Sequence, residues 1–240
     1  GDITLDGHVH HDELTFAARL MRHWPTETRC VPGNHDLGTG SGEAALDPRL
    51  IEAYCEALGP DRWVLQAGQW RLLGINAQLL GTDSAEEASL WAWLAEQGAR
   101  AGEHGHTALF LHRPLWRQRP GEVVRMGRYV GAAATRRLLT GPLAPTLRLV
   151  VSGHAHQYAD TTVDGVRHLW MPSTAFILPD DMQPRVGEKV VGIGLLDLGG
   201  DTARVDLWCP DGMRRHDVST LDFHSARAGG PASCDLTQRR

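Results

Sequence analysis

The sequence VVSGHAH, residues 150–156, passes from a run of apolar residues directly into two histidines. The apolar run is typical of a buried strand, and Gly153 allows the backbone to turn sharply where that strand ends. Two other segments have the same form, VPGNHD at 31–36 and LFLHRP at 109–114. In an open α/β sheet the ligand site lies at the carboxyl ends of the strands. We therefore expect the polar ends of all three segments along one edge of a sheet.

The polar residues at these three ends form a set of metal-binding type. They are Asn34, His35, Asp36, His112, His154 and His156. Imidazole, amide and carboxylate groups together suit manganese, iron or zinc. One histidine after a strand is usually an ordinary loop residue, but three endings of the same kind are harder to explain in that way.

The rest of the chain predicts alternating helices and strands, followed by strands alone. Apolar residues at helical spacing predict helices at 12–23, 47–58, 84–102 and 128–140. Apolar runs predict strands at 28–33, 70–76, 106–112 and 147–153, and then at 167–173, 190–198 and 203–210. This order predicts one layered α/β domain over residues 1–222. The small and polar residues of 223–240 predict a disordered tail.

Composition argues against several classes of partner. The net charge of −5 and the pI of about 6.2 predict no surface for nucleic acid. No apolar run reaches the ~18 residues that a membrane span needs. The four cysteines share no short spacing, so we expect neither a zinc ribbon nor a disulfide framework. These features favour a cytoplasmic protein that acts on a small molecule.

The order of four motifs resembles that of the calcineurin-like metallophosphoesterases. The motifs are GD at 1–2, GNHD at 33–36, a strand that ends in HRP at 112–114, and GHAH at 153–156. The resemblance runs from residue 1 to about 175 and implies an α/β/β/α sandwich. GDITLDG followed by GNHD is similar to the cyclic-nucleotide-phosphodiesterase-like branch, and HRPLW is similar to purple acid phosphatases. The chain has no GDxVDRG motif, which argues against a protein Ser/Thr phosphatase.

The resemblance implies a site with two metal ions that hydrolyses a phosphodiester or phosphomonoester of a small molecule. In such a site Asp2 would bridge the ions and His156 would bind the first. The ligands of the second ion would also include Asn34, His112 and His154. Two ions roughly 3.5–4 Å apart can activate water and neutralise the phosphoryl oxygens during in-line displacement.

Three further residues take roles from the same resemblance. His35 would donate a proton to the leaving group, and Asp36 would orient His35. Arg113 stands where many relatives carry a second histidine, and we expect it to contact a substrate phosphate, with exposure to solvent as the alternative. The stretches 37–45 and 115–127 are expected to be substrate-pocket loops, since loops at strand ends carry specificity.

Gly1-Asp2 begins the chain without the strand that should precede it. Relatives carry a further D-x-H motif before GD, which completes the first metal site. We therefore expect the chain to lack its first strand and the first metal site to be impaired. One D-x-H string, Asp6-Gly7-His8, lies after GD and is followed by His10. His8 or His10 would be candidates to replace the missing ligands, and a solvated loop is the alternative.

Two hypotheses of function follow, one catalytic and one not. The first is a metal-dependent phosphoesterase, and the second is a protein of the same fold that serves as a binding or scaffold module. The presence of His35 favours the enzyme, because a scaffold needs no proton donor beside its metals. The absence of the first motif favours the second hypothesis. A nuclease is less favoured, since no basic groove is predicted.

Overall fold

The computed structural model describes residues 1–38, 46–100, 105–120, 122 and 128–221. Its helices are α1 (His11–Met21), α2 (Asn34–Leu37), α3 (Pro48–Leu58), α4 (Ala85–Ala99) and α5 (Ala132–Thr140). Its strands are β1 (Trp63–Ala67), β2 (Trp70–Ile75), β3 (His106–Leu111), β4 (Leu147–Ser152), β5 (Ala159–Val163), β6 (Val166–Trp170), β7 (Phe176–Ile177), β8 (Ile193–Gly199), β9 (Thr202–Trp208) and β10 (His216–Asp217). The tail expected at 223–240 lies outside the described residues, as do most of the expected pocket loops.

A six-stranded sheet in the order β1-β2-β3-β4-β6-β5 forms the centre of the molecule. Strands β2, β3, β4 and β6 run parallel, while β1 and β5 pair antiparallel at the two edges. The carboxyl ends of the parallel strands therefore meet along one edge of the sheet. The layered α/β fold expected from the sequence is confirmed.

Helices α4 and α5 cover one face of this sheet. Leu90 and Leu94 of α4 and Leu138 of α5 are buried in one cluster with Leu109 of β3 and Val150 of β4. Helix α4 begins where the Ser84 hydroxyl accepts a hydrogen bond from the Glu87 N–H at 3.1 Å. A hydroxyl at that position satisfies one of the free N–H groups of the first turn, which explains where the helix starts.

The hairpin of β8 and β9 covers the other face of the sheet. The strands alternate between half-buried and exposed residues, as expected of a sheet with one packed face. Leu196 and Val205 of the packed face contact the cluster that contains Leu149 and Leu169 of the central sheet. Helices, a six-stranded sheet and a second sheet thus form three layers.

The strand expected at 28–33 does not form, so this prediction was wrong. Among the described residues this segment pairs with no strand, and its Cys30 side chain packs against helices instead. Cys30 is buried in a cluster with Leu14 of α1 and Tyr54 of α3. The Trp63 indole N–H of β1 donates to the Cys30 carbonyl at 2.7 Å. An apolar run becomes a strand only where a neighbour pairs with it, and here side-chain packing holds the segment.

None of the described helices is both long and apolar enough to cross a membrane.

Candidate metal centre

Three side chains meet at the carboxyl edge of the central sheet. His112 follows β3, His154 follows β4, and Asp2 reaches them from the start of the chain. The nearest oxygen and nitrogen atoms of the three side chains all lie within 4.8 Å of one another. His112 Nε2 lies 3.0 Å from Asp2 Oδ2 and 3.0 Å from His154 Nδ1. Nothing local in the sequence links these three residues. The parallel strands β3 and β4 bring His112 and His154 together, and the Asp2 N–H donates to the Asp36 carboxylate.

The spacing of these atoms fits a shared metal ion. Ligands held at right angles, about 2.1 Å from one ion, lie about 3 Å apart. The two contacts of His112 have that length. Two imidazole nitrogens and one carboxylate oxygen also form a donor set that manganese, iron and zinc accept.

Asn34 is a candidate fourth donor, because it directly precedes His35, whose backbone N–H contacts Asp2. Its side-chain oxygen is buried and has no hydrogen-bond partner among the described residues. A buried acceptor without a partner is costly, and a bound cation would remove that cost. The next residue, His35, donates its backbone N–H to Asp2 Oδ1 at 2.9 Å, which places the start of α2 against the cluster. The donors present therefore fit a metal ion.

Three residues of the site have left-handed backbone conformations. The φ angles are 54° at Asp2, 61° at His154 and 50° at His156. Such angles cost a non-glycine residue roughly 1–2 kcal/mol, and they persist only where surrounding contacts enforce them. Their concentration at this edge of the sheet is typical of a functional site, because strain of this kind accumulates where side chains must converge.

Asp36 holds the backbone around Asp2 in place. The Asp36 carboxylate is fully buried and accepts hydrogen bonds from the backbone N–H groups of Asp2 and Gly33, each at 2.8 Å. It also accepts from the N–H and the hydroxyl of Thr4, each at 2.9 Å. Gly33 is required there, since a Cβ at that residue would lie 2.1 Å from Asp2 Oδ1.

The expectation that Asp36 orients His35 needs correction. His35 Nδ1 lies 2.6 Å from the carbonyl oxygen of Leu5. A carbonyl can only accept, so Nδ1 carries the proton and Nε2 is left for chemistry. Asp36 is not this partner, because its two oxygens already receive four hydrogen bonds from residues 2, 4 and 33. The role of His35 as a proton donor stays a prediction.

His156 lies outside the three-residue cluster but is also oriented by a carbonyl. Its Nδ1 lies 3.0 Å from the carbonyl oxygen of Phe176, which leaves the Nε2 lone pair free. The expected substitutes for a missing ligand do not join the cluster in the described ranges. His8 Nδ1 contacts the His35 carbonyl at 3.2 Å, and His10 is exposed.

Burial and neighbouring groups set the charges of these side chains. Burial lowers the pKa of His154 to about 3, and burial also holds the pKa values of His112 and His156 below the ordinary range. Burial alone would raise the pKa of Asp2, but hydrogen bonds from His112 and from the His35 N–H lower it well below its usual value. Neutral imidazoles and an ionised carboxylate are the forms that bind a metal.

Arg113 lies beside the site, with its guanidinium turned inward. Its Nη2 donates to the Ala77 carbonyl, and its Nε is buried without a partner among the described residues. Burial lowers the pKa of Arg113 to about 10. Arg113 is half-buried, and its contact with a substrate phosphate stays a prediction.

Sequence reasoning missed the groups that orient the histidines. The carbonyls of Leu5 and Phe176 hold His35 and His156, and a backbone carbonyl has no signal in a sequence. Thr4 could have been found, because it stands two residues after Asp2 and hydroxyl residues commonly bond to nearby polar groups.

Comparison with known proteins gives the context of this site. The calcineurin-like phosphoesterase family matches residues 1–158 of the chain. The 3',5'-cyclic adenosine monophosphate phosphodiesterase CpdA of Escherichia coli strain K12 is 29% identical over 147 residues, which is 60% of this chain and 48% of that protein. The CpdA protein of Escherichia coli O157:H7 matches to the same extent. The chain thus spans about half the length of the curated relatives it matches.

Solved structures resemble the chain more distantly. Purple acid phosphatase PPD1 from yellow lupin (Lupinus luteus) seeds is 14% identical, with a TM-score of 0.46 over 69% of this chain and 34% of that one. Phosphopantetheinyl hydrolase PptH from Mycobacterium tuberculosis is 20% identical, with a TM-score of 0.41 over 67% of this chain and 74% of that one. The sequence match over residues 1–158, which contains every residue of the candidate metal centre, shows that the chain belongs to the calcineurin-like phosphoesterase family.

Proposed function

We propose that the protein is a metal-dependent phosphoesterase that hydrolyses a phosphodiester or phosphomonoester of a small molecule through a site for two ions. The observation that carries this proposal is the meeting of Asp2, His112 and His154. The buried, unpartnered oxygen of Asn34, whose neighbour His35 bonds to Asp2, supports it. Membership of the family supports a hydrolase, and the phosphodiesterase activity of the CpdA proteins supports a phosphodiester substrate.

The proposal gives each side chain one task. Asp2, Asn34, His112 and His154 hold one ion, and His156 offers Nε2 to the other. When bound, such a pair of ions supplies positive charge against the phosphoryl oxygens and makes water a better nucleophile. The donor set suits manganese, iron and zinc alike, so the proposal names this group of metals.

His35 is the proposed proton donor for the leaving group. The Leu5 carbonyl holds the proton on Nδ1, so a protonated His35 presents its second proton on Nε2. The ring is half-buried and its own backbone N–H is bonded to Asp2, so His35 stands beside the metal ligands without being one. An acid in that position typically contributes about 10²- to 10⁴-fold to the rate.

The test combines metal content with turnover. The chain would be loaded with manganese, its metal content measured, and hydrolysis of a generic aryl phosphodiester and an aryl phosphomonoester followed. We expect bound metal and turnover in the wild type, and for His35→Ala unchanged metal content with a rate about 10²- to 10⁴-fold lower. His23→Ala is the matched control, because His23 is exposed at the end of α1 and contacts only the Arg19 carbonyl.

Two results would contradict the proposal in different ways. A chain that binds no metal would refute the metal site itself. Bound metal without turnover on either substrate would instead favour the binding or scaffold module. Equal rates for the wild type and His35→Ala would keep the hydrolase but remove His35 as its proton donor.

A further inference from the structure

Gln157 directly follows His156, and all of its side-chain hydrogen bonds go to one loop. The loop comprises residues 178–189, between β7 and β8, and is called the 178–189 loop below. Gln157 Oε1 accepts from the backbone N–H groups of Val186 at 2.8 Å and Gly187 at 2.9 Å. Its Nε2 donates to Gln183 Oε1 at 2.8 Å and to the Pro184 carbonyl at 3.1 Å. Gln157 is 1% exposed, so two donor and two acceptor positions are all satisfied in the interior.

The same loop has a second buried anchor. Lys189 is the only lysine of the chain, and its side chain is 2% exposed. Its ammonium group donates to the Gln183 carbonyl and to Asp180 Oδ1, each at 2.7 Å. Two residues of the loop, Gln183 and Lys189, are therefore as buried as core residues, although they lie in a connection between strands. A loop with such anchors is built to stay in one position.

The backbone next to Gln157 is fixed by this loop as well. Tyr158 and Glu188 exchange two backbone hydrogen bonds of 2.8 Å. Gly187 passes so close that a Cβ there would lie 2.1 Å from the Tyr158 carbonyl oxygen. The chain is thus held immediately after His156, whose own φ of 50° is a conformation that needs such enforcement.

The loop also adjoins the group that orients the His156 ring. Phe176, in the strand that leads into the loop, accepts the Nδ1 hydrogen bond of His156 at 3.0 Å. The Phe176 ring packs on the His156 ring, with centroids 4.7 Å apart. Partners of this kind fix the tautomer of a metal-binding histidine and the direction of its free nitrogen.

We infer that Gln157 is a positioning residue for His156. By fastening the 178–189 loop, it holds the strained backbone of His156 and keeps the His156 Nδ1–H hydrogen-bonded to the Phe176 carbonyl. The Nε2 lone pair of His156 is then unprotonated, has a fixed direction and can bind a ligand. The inference rests on the proposed function in one respect, since it assumes that the ligand of His156 is a metal ion.

The test uses Gln157→Ala, with Gln97→Ala as the matched control. Gln97 is also a buried glutamine, 4% exposed, and its side-chain oxygen accepts a hydrogen bond from Arg71 Nη2. It lies in α4, on the face of the central sheet opposite the β8–β9 hairpin. The first measurement is the rate at which an amine-reactive ester acylates Lys189, which reports opening of the loop. We expect Gln157→Ala to raise that rate at least about tenfold, because it removes four buried hydrogen bonds, and Gln97→Ala to leave it unchanged.

Two further measurements separate positioning from mere stability. In metal-free protein, imidazole ¹⁵N shifts, assigned with His156→Gln, should show the Nδ1–H tautomer of His156 in the wild type and a mixture in Gln157→Ala. Manganese titration should leave the tight site of Asp2, His112 and His154 unchanged in Gln157→Ala and weaken the second, His156-dependent site about 10- to 100-fold, the range typical of second-layer partners of metal ligands. If Gln157→Ala fails to fold, Gln183→Ala removes one partner of Gln157 and answers the same questions with a smaller effect.

The outcomes distinguish this inference from the proposed function. Unchanged acylation of Lys189, or faster acylation with an unchanged His156 tautomer, would overturn the positioning role. Wild-type protein that binds no manganese would refute the proposed metal site, while the tautomer measurement would still decide whether Gln157 positions His156. A weakened manganese site with an altered tautomer would support both.

Discussion

At the scale of single residues, Asp36 links two parts of the chain that are far apart in sequence. Its carboxylate accepts from Asp2, 34 positions away, and from Thr4 and Gly33. A motif residue expected to serve a neighbouring histidine instead fixes the backbone of a distant carboxylate. Sequence reasoning identified Asp36 as important but gave it the wrong partner, because adjacency in a motif does not say which way a side chain turns.

We predict that Asp36→Ala lowers the free energy of unfolding by about 3 kcal/mol or more. Four buried donors would lose a charged acceptor, and hydrogen bonds to charged groups contribute about 1.5–3 kcal/mol each, although not additively. The same variant should bind manganese weakly, since Asp2 loses its position. Urea unfolding and metal titration measure the two effects.

Asp47→Ala provides the control for Asp36. Asp47 caps α3 by accepting from the Arg49 N–H at 3.0 Å, and it lies away from the metal centre. Loss of such a cap costs about 1 kcal/mol. If Asp36→Ala were no less stable than Asp47→Ala and bound manganese normally, the four hydrogen bonds of Asp36 would neither stabilise the fold as predicted nor be needed to position Asp2.

A second residue-scale prediction concerns acid stability. His168 of β6 is 4% exposed, packs on Trp116 and leaves Nε2 without a hydrogen-bond partner among the described residues. Burial lowers its pKa to about 4, whereas a histidine in an unfolded chain has a pKa of about 6.5. Between these values the unfolded chain takes up a proton that the folded one does not. Stability should therefore be complete above about pH 6.5 and fall as the pH drops toward 4.

The His168→Phe variant isolates this contribution. A pKa difference of this size corresponds to about 3 kcal/mol, so the free energy of unfolding of the wild type should fall more steeply than that of His168→Phe between pH 7 and pH 4.5. His216→Phe is the control, since His216 is exposed. Parallel pH profiles for the wild type and His168→Phe would show that another group causes the acid sensitivity.

At the scale of elements, the sequence predicted the strands that are buried on both faces. β3 and β4 are almost entirely buried, and their apolar runs gave clear signals. β1 was missed because it alternates between half-buried and exposed residues, and β7 and β10 contain two residues each. The segment 28–33 was wrongly predicted as a strand, since its Cys30 side chain packs on helices instead.

We predict that Gly74→Ala in β2 displaces Trp63 of β1 and thereby weakens the contact between β1 and the segment that precedes the GNHD motif. A Cβ at Gly74 would lie 2.1 Å from the Trp63 ring, so the indole that bonds to the Cys30 carbonyl must move. Overpacking of this kind costs about 1–3 kcal/mol. Urea unfolding should show that loss, and the metal affinity should fall with it.

Gly131→Ala is the matched substitution for Gly74. Gly131 precedes α5 with a φ of −62°, and a Cβ there meets nothing within 4 Å. Gly131 is the N-cap of α5, where Ala is less favourable than Gly, so this variant should lower the free energy of unfolding by no more than about 1 kcal/mol. Equal stabilities for the two alanine variants would mean that Trp63 can move away from Gly74 at little cost.

At the scale of the whole molecule, strand direction explains why part of the site was predictable. The polar ends of β3 and β4 share one edge because the strands are parallel, and this places His112 and His154 together as expected. The left-handed conformations of Asp2 and His154, and the carbonyl partners of the histidines, were not predictable. They depend on contacts between distant segments, which no local pattern records.

The same geometry predicts unequal metal sites in this chain. Asp2, His112 and His154 already lie within 4.8 Å of one another, and Asn34, with its buried oxygen, is a candidate fourth donor. His156 does not belong to any such group among the described residues. One ion should therefore bind first and tightly, with the His156-dependent ion binding weakly. Manganese titration with direct measurement of bound metal should give close to one tight ion per chain.

Thermal unfolding identifies which residues hold that tight ion. Free metal at 100 times its Kd stabilises the folded state by about 2.7 kcal/mol, which corresponds to a rise in Tm of roughly 5–10 °C for a chain of this size. His112→Asn should abolish the rise, whereas His156→Asn should leave most of it. The metal-dependent shift is compared within each variant, so a lower Tm without metal does not disturb the comparison. Two equally tight ions, or a shift that depends on His156 as strongly as on His112, would contradict the assignment of the tight site to Asp2, Asn34, His112 and His154.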